Sequence, residues 1–319
     1  MNTKFPARPA ESFDFKEILY AKKDWTARVT INRPDVFNAY STTTIQELMV
    51  AFKDAMWDDH VAVVVLTGAG EKAFCTGGDV KEYAENFTQM PRDYWKWMGE
   101  FIECHDLLRN IGKPTIARIN GMVAGGGNEF NMACDLAIMA DHATIRQVGT
   151  MVGSVAAGGA TQWLPIMVGD RRAREILFTD DPIDAKTALD WGLVNQVVPY
   201  AQLDDAVQKL ADKLTDKFPE CTRYTKTQVN FWKELAWNQT VRHAQDWLSL
   251  HFASLEPYEG MTAFVEKRPK NYRGLREKAA RGESSEFLFG PYAQTCAQCG
   301  TKGLPSEFKF CGNCGAKLG

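Results

Sequence analysis

Apolar residues recur along this chain with two different periods, and the switches between them mark out its elements. Short runs over residues 18–20 and 27–31 read as strands, ending at Asn32-Arg-Pro-Asp35, where Pro34 and Asp35 predict a turn. Over residues 42–57, Ile45, Leu48, Met49, Phe52 and Met56 fall at helical spacing, and residues 61–66, continuously apolar, read as a buried strand. Residues 91–111 read as an aromatic-rich helix, 115–119 as a short strand, 128–133 as a helix starting just after a glycine triplet, and 135–139 as a strand. Alternation of strand and helix over roughly the first two hundred residues predicts an α/β architecture with helices packed over sheet.

From residue 203 the strand signal stops. Residues 203–215, 222–236 and 240–253 have helical periodicity, with Trp232, Trp237 and Trp247 available for packing. A helical region that follows an α/β core packs on it or on a neighbouring subunit, so oligomerisation through these helices is expected. Residues 278–293 open on a stretch rich in charge, Gly and Ser and read as a linker between a main domain, 1–277, and a last segment, 294–319. The chain carries no internal repeat and no low-complexity tract.

Composition narrows the class. With 319 residues, 45% of them hydrophobic, the chain can bury a full-sized core, and a net charge of −3 gives no field to hold nucleic acid or an acidic membrane surface. The longest apolar run, residues 61–66, is far too short to span a bilayer. The start, Met1-Asn-Thr-Lys-Phe-Pro, lacks the basic, apolar and small-residue regions of a secretory signal, so a cytoplasmic location is expected.

The cysteines are unevenly spread. Cys75, Cys104, Cys134 and Cys221 stand singly and read as buried apolar residues. Cys296-Ala-Gln-Cys299 and Cys311-Gly-Asn-Cys314 are separated by eleven residues, with Gly300 and Gly315 after the second cysteine of each pair. Two knuckle turns of this kind supply four thiolates for a tetrahedral, structural zinc, and the segment resembles a zinc ribbon. So short a segment has too little core to fold without metal. Contact with a neighbouring subunit or another protein is its expected role, because Lys302, Lys309 and Lys317 make only a weak basic face for nucleic acid.

Two glycine-rich segments carry the chemistry. In Ala73-Phe-Cys-Thr-Gly-Gly-Asp79 the paired glycines let the backbone turn with its N–H groups toward a ligand. In Asn120-Gly-Met-Val-Ala-Gly-Gly-Gly-Asn-Glu-Phe130 three glycines run into a helix whose free N–H groups favour a developing negative charge. Either segment alone is also what a tight turn looks like. Together they point to an oxyanion hole, which polarises a thioester carbonyl and acidifies its α-carbon. Gly68-Ala-Gly-Glu-Lys-Ala73 formally fits a dinucleotide fingerprint, but the residues after it, Phe74-Cys-Thr-Gly-Gly78, are poor helix formers, so no nicotinamide site is expected.

From Ile18 to Arg273 the chain resembles the enoyl-CoA hydratase/isomerase (crotonase) superfamily. Beside the glycine segments, the resemblance is carried by Asn32-Arg-Pro with Phe37-Asn-Ala39, Cys134-Asp-Leu136, Gly158-Gly-Ala-Thr-Gln162, Gly192-Leu-Val194 and Phe264-Val-Glu-Lys-Arg-Pro269. It implies a spiral of ββα units with C-terminal helices that build trimers, usually paired into hexamers, and an acyl-coenzyme A substrate. It also places the oxyanion N–H groups on Gly78 and Gly126, Lys81 near the ribose-phosphate end of coenzyme A, and the backbone of Phe37, Asn38 and Ala39 near adenine. Two-carboxylate hydratases of the family carry one glutamate after the triplet and a second in a Gln-Pro-Glu stretch. Here Glu129 stands at the first position, as the expected acid/base, with the helix dipole expected to favour its ionised form. Gln147-Val-Gly149 puts glycine at the second.

Among branches with glycine there, Phe74-Cys-Thr-Gly-Gly78, Lys81-Glu-Tyr-Ala-Glu85 and Phe218-Pro-Glu-Cys221 resemble the ring-cleaving 6-oxocyclohex-1-ene-1-carbonyl-CoA hydrolases of anaerobic aromatic degradation. The chain departs from that branch and its relatives at Val152, where they carry histidine, and near Ala156, where others carry aspartate. Asp180 or Asp181 is a candidate replacement carboxylate, or simply a turn aspartate. Val148, Met151, Val152, Val155, Ala156 and Trp163 imply an apolar pocket suited to an alicyclic or other bulky acyl group. Three activities fit: hydration or hydrolysis of such an ester, double-bond isomerisation, or a non-catalytic scaffold that binds a protein through the ribbon.

Overall fold

In chain order the strands of the main body are β1 (Ile18–Lys23), β2 (Thr26–Ile31), β3 (Val63–Gly68), β4 (Ala73–Cys75), β5 (Thr115–Ile119), β6 (Met122–Ala124), β7 (Leu136–Ala140), β8 (Thr144–Arg146), β9 (Ile183–Asp184) and β10 (Gln196–Val198). This computed structural model describes residues 8–283, 286–289 and 292–319. The start of the chain, read above for a secretory signal, and Ser284, Ser285, Gly290 and Pro291 of the linker lie outside the described residues.

One sheet has the order β1-β2-β3-β5-β7-β10 and a second the order β4-β6-β8-β9. Within the first, all neighbours from β2 to β10 run parallel, and every residue of β3 and β5 is buried, as a near-continuous apolar run requires of a strand covered on both faces. The chain alternates between the sheets: β3 leads to β4, β5 to β6 and β7 to β8, with helix after each pair. That repeated strand–strand–helix unit is the expected ββα spiral.

The helices are α1 (Thr42–Trp57), α2 (Val80–Asn86), α3 (Pro91–Arg109), α4 (Gly126–Ala133), α5 (Ala160–Val168), α6 (Asp170–Thr179), α7 (Ala185–Asp190), α8 (Leu203–Thr215), α9 (Pro219–Val229), α10 (Phe231–His251), α11 (Leu255–Val265) and α12 (Tyr272–Ala280). Ser41 caps α1 in a reciprocal box with Thr44, and Pro91 opens α3 where its missing N–H costs nothing. The expected helices over 222–236 and 240–253 are divided differently. The break falls at Asn230, whose side chain donates to the Arg109 carbonyl at 3.1 Å, and α10 continues unbroken through Trp237. Trp237 is buried against Trp163, with ring centroids 5.0 Å apart, whereas Trp232 faces solvent. Of the scattered cysteines, Cys221 is exposed rather than buried, because it lies on the outer face of α9.

The expected linker begins inside α12, and Lys278 reaches Glu307 of the last segment at 2.9 Å. A separate small cluster there, Cys296, Cys311 and Leu318 with Leu304, Phe308 and Ala316, shares no residue with the main core. Among the described residues no helix is long and apolar enough to cross a membrane.

Candidate active site

Three neighbouring parallel strands of the second sheet end at one edge, and the run after each carries part of a site. Beyond β4 come Thr76, Gly77 and Gly78; beyond β6 come Gly125 and Gly126; beyond β8 come Gln147, Val148 and Gly149. All of them line one cavity of about 100 Å³, at the strand ends where α/β proteins hold their ligands.

The backbone directs two N–H groups into it. Tyr40 and Gly78 form a parallel bridge in which the Tyr40 N–H donates to the Gly77 carbonyl and the Asp79 N–H donates to the Tyr40 carbonyl, both at 2.9 Å. The intervening Gly78 N–H therefore points away from Tyr40. Gly126 is the first residue of α4, so its N–H belongs to the turn that a helix leaves unpaired. Gly125 turns the chain into that helix at φ +51°, a conformation that favours glycine. Neither Gly78 nor Gly126 has room for a side chain: the Tyr83 hydroxyl fills the place of a Cβ at the first, and the Tyr40 hydroxyl at the second.

Glu129, in the first turn of α4, lines the same cavity and is the only carboxylate to do so among the described residues. Its carboxylate accepts a hydrogen bond from the Ala160 N–H at 3.0 Å. Burial nevertheless pushes its carboxyl up to about 7, against the lowering effect of the Ala160 and Gly158 N–H groups. The expectation that the helix dipole favours the ionised form is thus corrected: burial raises the carboxyl despite the N–H groups that favour its charge. A carboxyl poised near neutrality, beside two N–H donors, can move a proton next to a polarised carbonyl.

Of the expected apolar wall, Val148, Val152, Val155 and Ala156 line the cavity, but Met151 and Trp163 do not. Trp163 is fully buried against Trp237 and donates its indole N–H to the Lys233 carbonyl at 3.3 Å. The wall that sequence reasoning missed comes from α3, whose Tyr94, Trp97, Met98 and Phe101 face the cavity, and from Leu248 of α10 and Met261 of α11. Tyr94, Trp97 and Phe101 recur at helical spacing, a signal already present in the sequence. Asp180 and Asp181 supply no second carboxylate. Asp180 closes α6 at φ +58° and accepts from the Thr150 hydroxyl at 2.6 Å, and neither aspartate lines the cavity. Cys75 lies close beneath the glycines, but burial pushes its thiol up to about 12, which disqualifies it as a nucleophile.

Phe37, Asn38 and Ala39 lie beside the first glycine segment, where the Thr76 hydroxyl donates to the Phe37 carbonyl at 3.2 Å. The buried Asn38 amide pins this loop by donating to the Ala69 and Ala73 carbonyls at 3.0 and 2.7 Å. Lys81 stands on α2 just past its cap, Asp79, with its side chain in solvent and only a 3.9 Å approach to Glu85.

The four C-terminal thiols gather as expected. Their sulfurs lie within 4.8 Å of one another, with Cys296 to Cys314 at 3.6 Å and Cys299 to Cys311 at 3.7 Å. Zinc–sulfur bonds of about 2.3 Å in a tetrahedron imply sulfur–sulfur edges of about 3.8 Å, so the set fits that ion. Each pair is built alike: the Gly300 N–H donates to the Cys296 carbonyl at 2.9 Å and the Gly315 N–H to the Cys311 carbonyl at 2.8 Å.

The profile of the enoyl-CoA hydratase/isomerase family matches residues 22–275, ending before the four cysteines. An enoyl-CoA hydratase from Mycobacterium avium subsp. paratuberculosis is similar at 26% identity, over 81% of this chain and 98% of that one, with a TM-score of 0.73. An enoyl-CoA hydratase from Bacillus anthracis is 30% identical over 81% of this chain and 100% of that one, with a TM-score of 0.64. With the ββα spiral, the paired glycine segments and Glu129 already in place, the chain belongs to the enoyl-CoA hydratase/isomerase, or crotonase, family.

Proposed function

We propose that this enzyme adds water to, or hydrolyses, an alicyclic enoyl-CoA or β-oxoacyl-CoA through a thioester enolate held by the Gly78 and Gly126 N–H groups. The observation that carries this reading is a single buried carboxylate, Glu129, in a small, mostly apolar cavity beside those two donors. In hydration Glu129 takes a proton from water as the oxygen bonds to the β-carbon, and the displaced electron pair moves to the thioester oxygen. The carboxyl then returns that proton to the α-carbon, leaving the C–S bond intact. One group serves twice, which suits a chain with glycine at position 149.

The same lone carboxylate favours a second reading, double-bond isomerisation, in which Glu129 carries a proton from one carbon to another. Turnover in ¹⁸O-labelled water separates them: label in the product supports hydration or hydrolysis, and its absence supports isomerisation. A panel of cyclic and linear acyl-CoA esters read by mass spectrometry tests the acyl group, and turnover of short linear enoyl esters alone would sink the alicyclic reading. By its resemblance to the ring-cleaving branch we place the reaction in anaerobic aromatic or alicyclic degradation, in the cytoplasm.

The remaining roles belong to the same proposal. The Phe37–Ala39 backbone lies near adenine and Lys81 near the ribose-phosphate of coenzyme A, within a catalytic domain of residues 1–277. Residues 294–319 form a ribbon around one structural zinc, held by Cys296, Cys299, Cys311 and Cys314, and offer a surface for a protein partner. Trimers or hexamers form through the C-terminal helices; Val229, Phe231 and Trp232 stand exposed there, an apolar face that a partner subunit would cover.

A further inference from the structure

A chain of hydrogen bonds that begins on a cation runs up to the Gly78 N–H from behind. The Arg33 guanidinium donates from Nη1 to the Ala39 carbonyl at 2.6 Å. The N–H of that same peptide unit belongs to Tyr40, and it donates to the Gly77 carbonyl at 2.9 Å. The N–H of the Gly77 peptide unit is that of Gly78, on the side away from Tyr40. In a trans peptide the C=O and N–H point in opposite directions, so the links run head to tail. The other contacts of Arg33 fix it in place: Nη2 meets the Asp79 carboxylate at 2.9 Å and Nε the Glu17 carboxylate at 3.2 Å. Holding the neighbouring loop does not require the guanidinium. Asn38 already pins it, donating to the Ala69 and Ala73 carbonyls and accepting from the Arg33 backbone N–H at 3.0 Å. Nor does capping α2, because the other Asp79 oxygen, Oδ1, accepts from the Lys81 N–H at 3.1 Å. What the guanidinium adds is a charged donor at the head of the chain of bonds.

We propose that Arg33 is a positioning residue that orients and polarises the Gly78 N–H through the Ala39 and Gly77 peptide units, strengthening its hold on the thioester oxygen. The inference rests on the reading of Gly78 and Gly126 as the oxyanion donors. Those two donors are supported differently. Gly126 opens α4, whose aligned peptides lend its N–H partial positive charge, whereas Gly78 precedes the cap of α2 and has no helix behind it. The relay from Arg33 does for Gly78 what α4 does for Gly126. A charge-assisted bond is roughly twice as strong as a neutral one, and bonds in series strengthen one another by on the order of 10–30% each. Asp79 and Glu17 offset the charge of Arg33 at longer range, so its effect on Gly78 is carried by the bonds themselves. The arrangement moves no proton, and the only group that titrates in the reaction is still Glu129.

The probe is acetyl-CoA carrying ¹³C at the carbonyl, bound to saturation by the full-length enzyme and read by isotope-edited infrared spectroscopy, with Kd from calorimetry. In the wild type the carbonyl band should move to lower frequency on binding, because donors to the oxygen weaken the C=O bond. Arg33→Gln, with its fold checked by circular dichroism, should lose about a third of that shift or more. Arg33→Lys keeps the charge but not the fork that serves three acceptors at once, so its band should fall between the two. It carries the test if Arg33→Gln fails to fold. Affinity for free coenzyme A should change less than about threefold in either variant, since Asn38 still pins the loop. A band at the wild-type frequency in every folded variant overturns the relay. So does a loss of coenzyme A affinity with the band of the saturated complex unmoved, which marks an arginine that only supports the loop. A wild type that binds no acetyl-CoA, or binds it without moving the band, contradicts the oxyanion reading itself.

Discussion

The carboxylate of Glu129 accepts a 3.0 Å hydrogen bond from the Ala160 N–H, yet its carboxyl holds its proton up to about 7. The N–H favours the charged form and burial the neutral one, and burial prevails. As the base of a hydration, Glu129 acts only when ionised, so kcat/KM should rise with pH along a limb centred near 7 and then level off. Glu129→Gln should remove that limb and lower kcat at least roughly a hundredfold, with coenzyme A binding retained. A pH–rate profile of both proteins checks this; near-wild-type turnover in the variant would take Glu129 out of the mechanism.

The same group links pH to stability, with a sign set by the direction of its shift. Its carboxyl is raised from 4.5 to about 7 on folding, so between those values the folded state binds more proton than the unfolded one. Stability from this group is therefore fully present below the unfolded value, falls as pH rises through the window, and is constant again above about 7, for a loss on the order of 3 kcal/mol. Glu129→Gln removes this dependence, so the stability of the variant relative to wild type should be higher at alkaline pH than at pH 4.5. Urea denaturation of both proteins at several pH values measures that difference directly.

Gly126→Ala should strike catalysis rather than folding of the sheet. The new methyl group would contest the space of the Tyr40 hydroxyl, and either the ring or the glycine turn must move. Displacing one oxyanion donor typically costs about a hundredfold or more in kcat. Lys81 and the Phe37–Ala39 loop, the proposed coenzyme A contacts, lie outside that turn, so affinity for free coenzyme A should stay within about twofold of wild type. Steady-state kinetics beside a coenzyme A titration separates the two effects, and an equal loss in both would mean that the loop as a whole had collapsed.

The sequence disclosed different parts of the protein to different depths. The helices α1 and α8 and the strand β5 have the expected limits, because each carries a full period of buried positions. The second sheet escaped notice: β4, β6 and β8 are three residues each, too short for alternation to show, and β4 and β6 are recognisable only through the glycines that follow them. Those glycines made the proposed oxyanion donors legible. The cavity wall was less so, since an aromatic stripe such as Tyr94, Trp97 and Phe101 reads equally well as core packing, and Trp163, taken for pocket lining, serves as core. The state of Glu129 was misjudged for a related reason: a helix dipole can be inferred from sequence, whereas burial by α3 and the segment after β8 is a tertiary effect.

The C-terminal ribbon should be metal-dependent while the main body is not. Its own small core contains two of the four cysteines, so losing the ion removes most of what organises it. Elemental analysis should find about one zinc per chain, and Cys299→Ser or strong chelation should release it. Ties to the body include the Lys278–Glu307 ion pair, in which Glu307 is 42% exposed, and pairs so open to solvent contribute little. Limited proteolysis after chelation should therefore cut within residues 294–319 while the body from β1 to α11 resists, and the main thermal transition should hardly shift. If chelation instead melted the whole protein in that one transition, the ribbon would be a working part of the main body's stability.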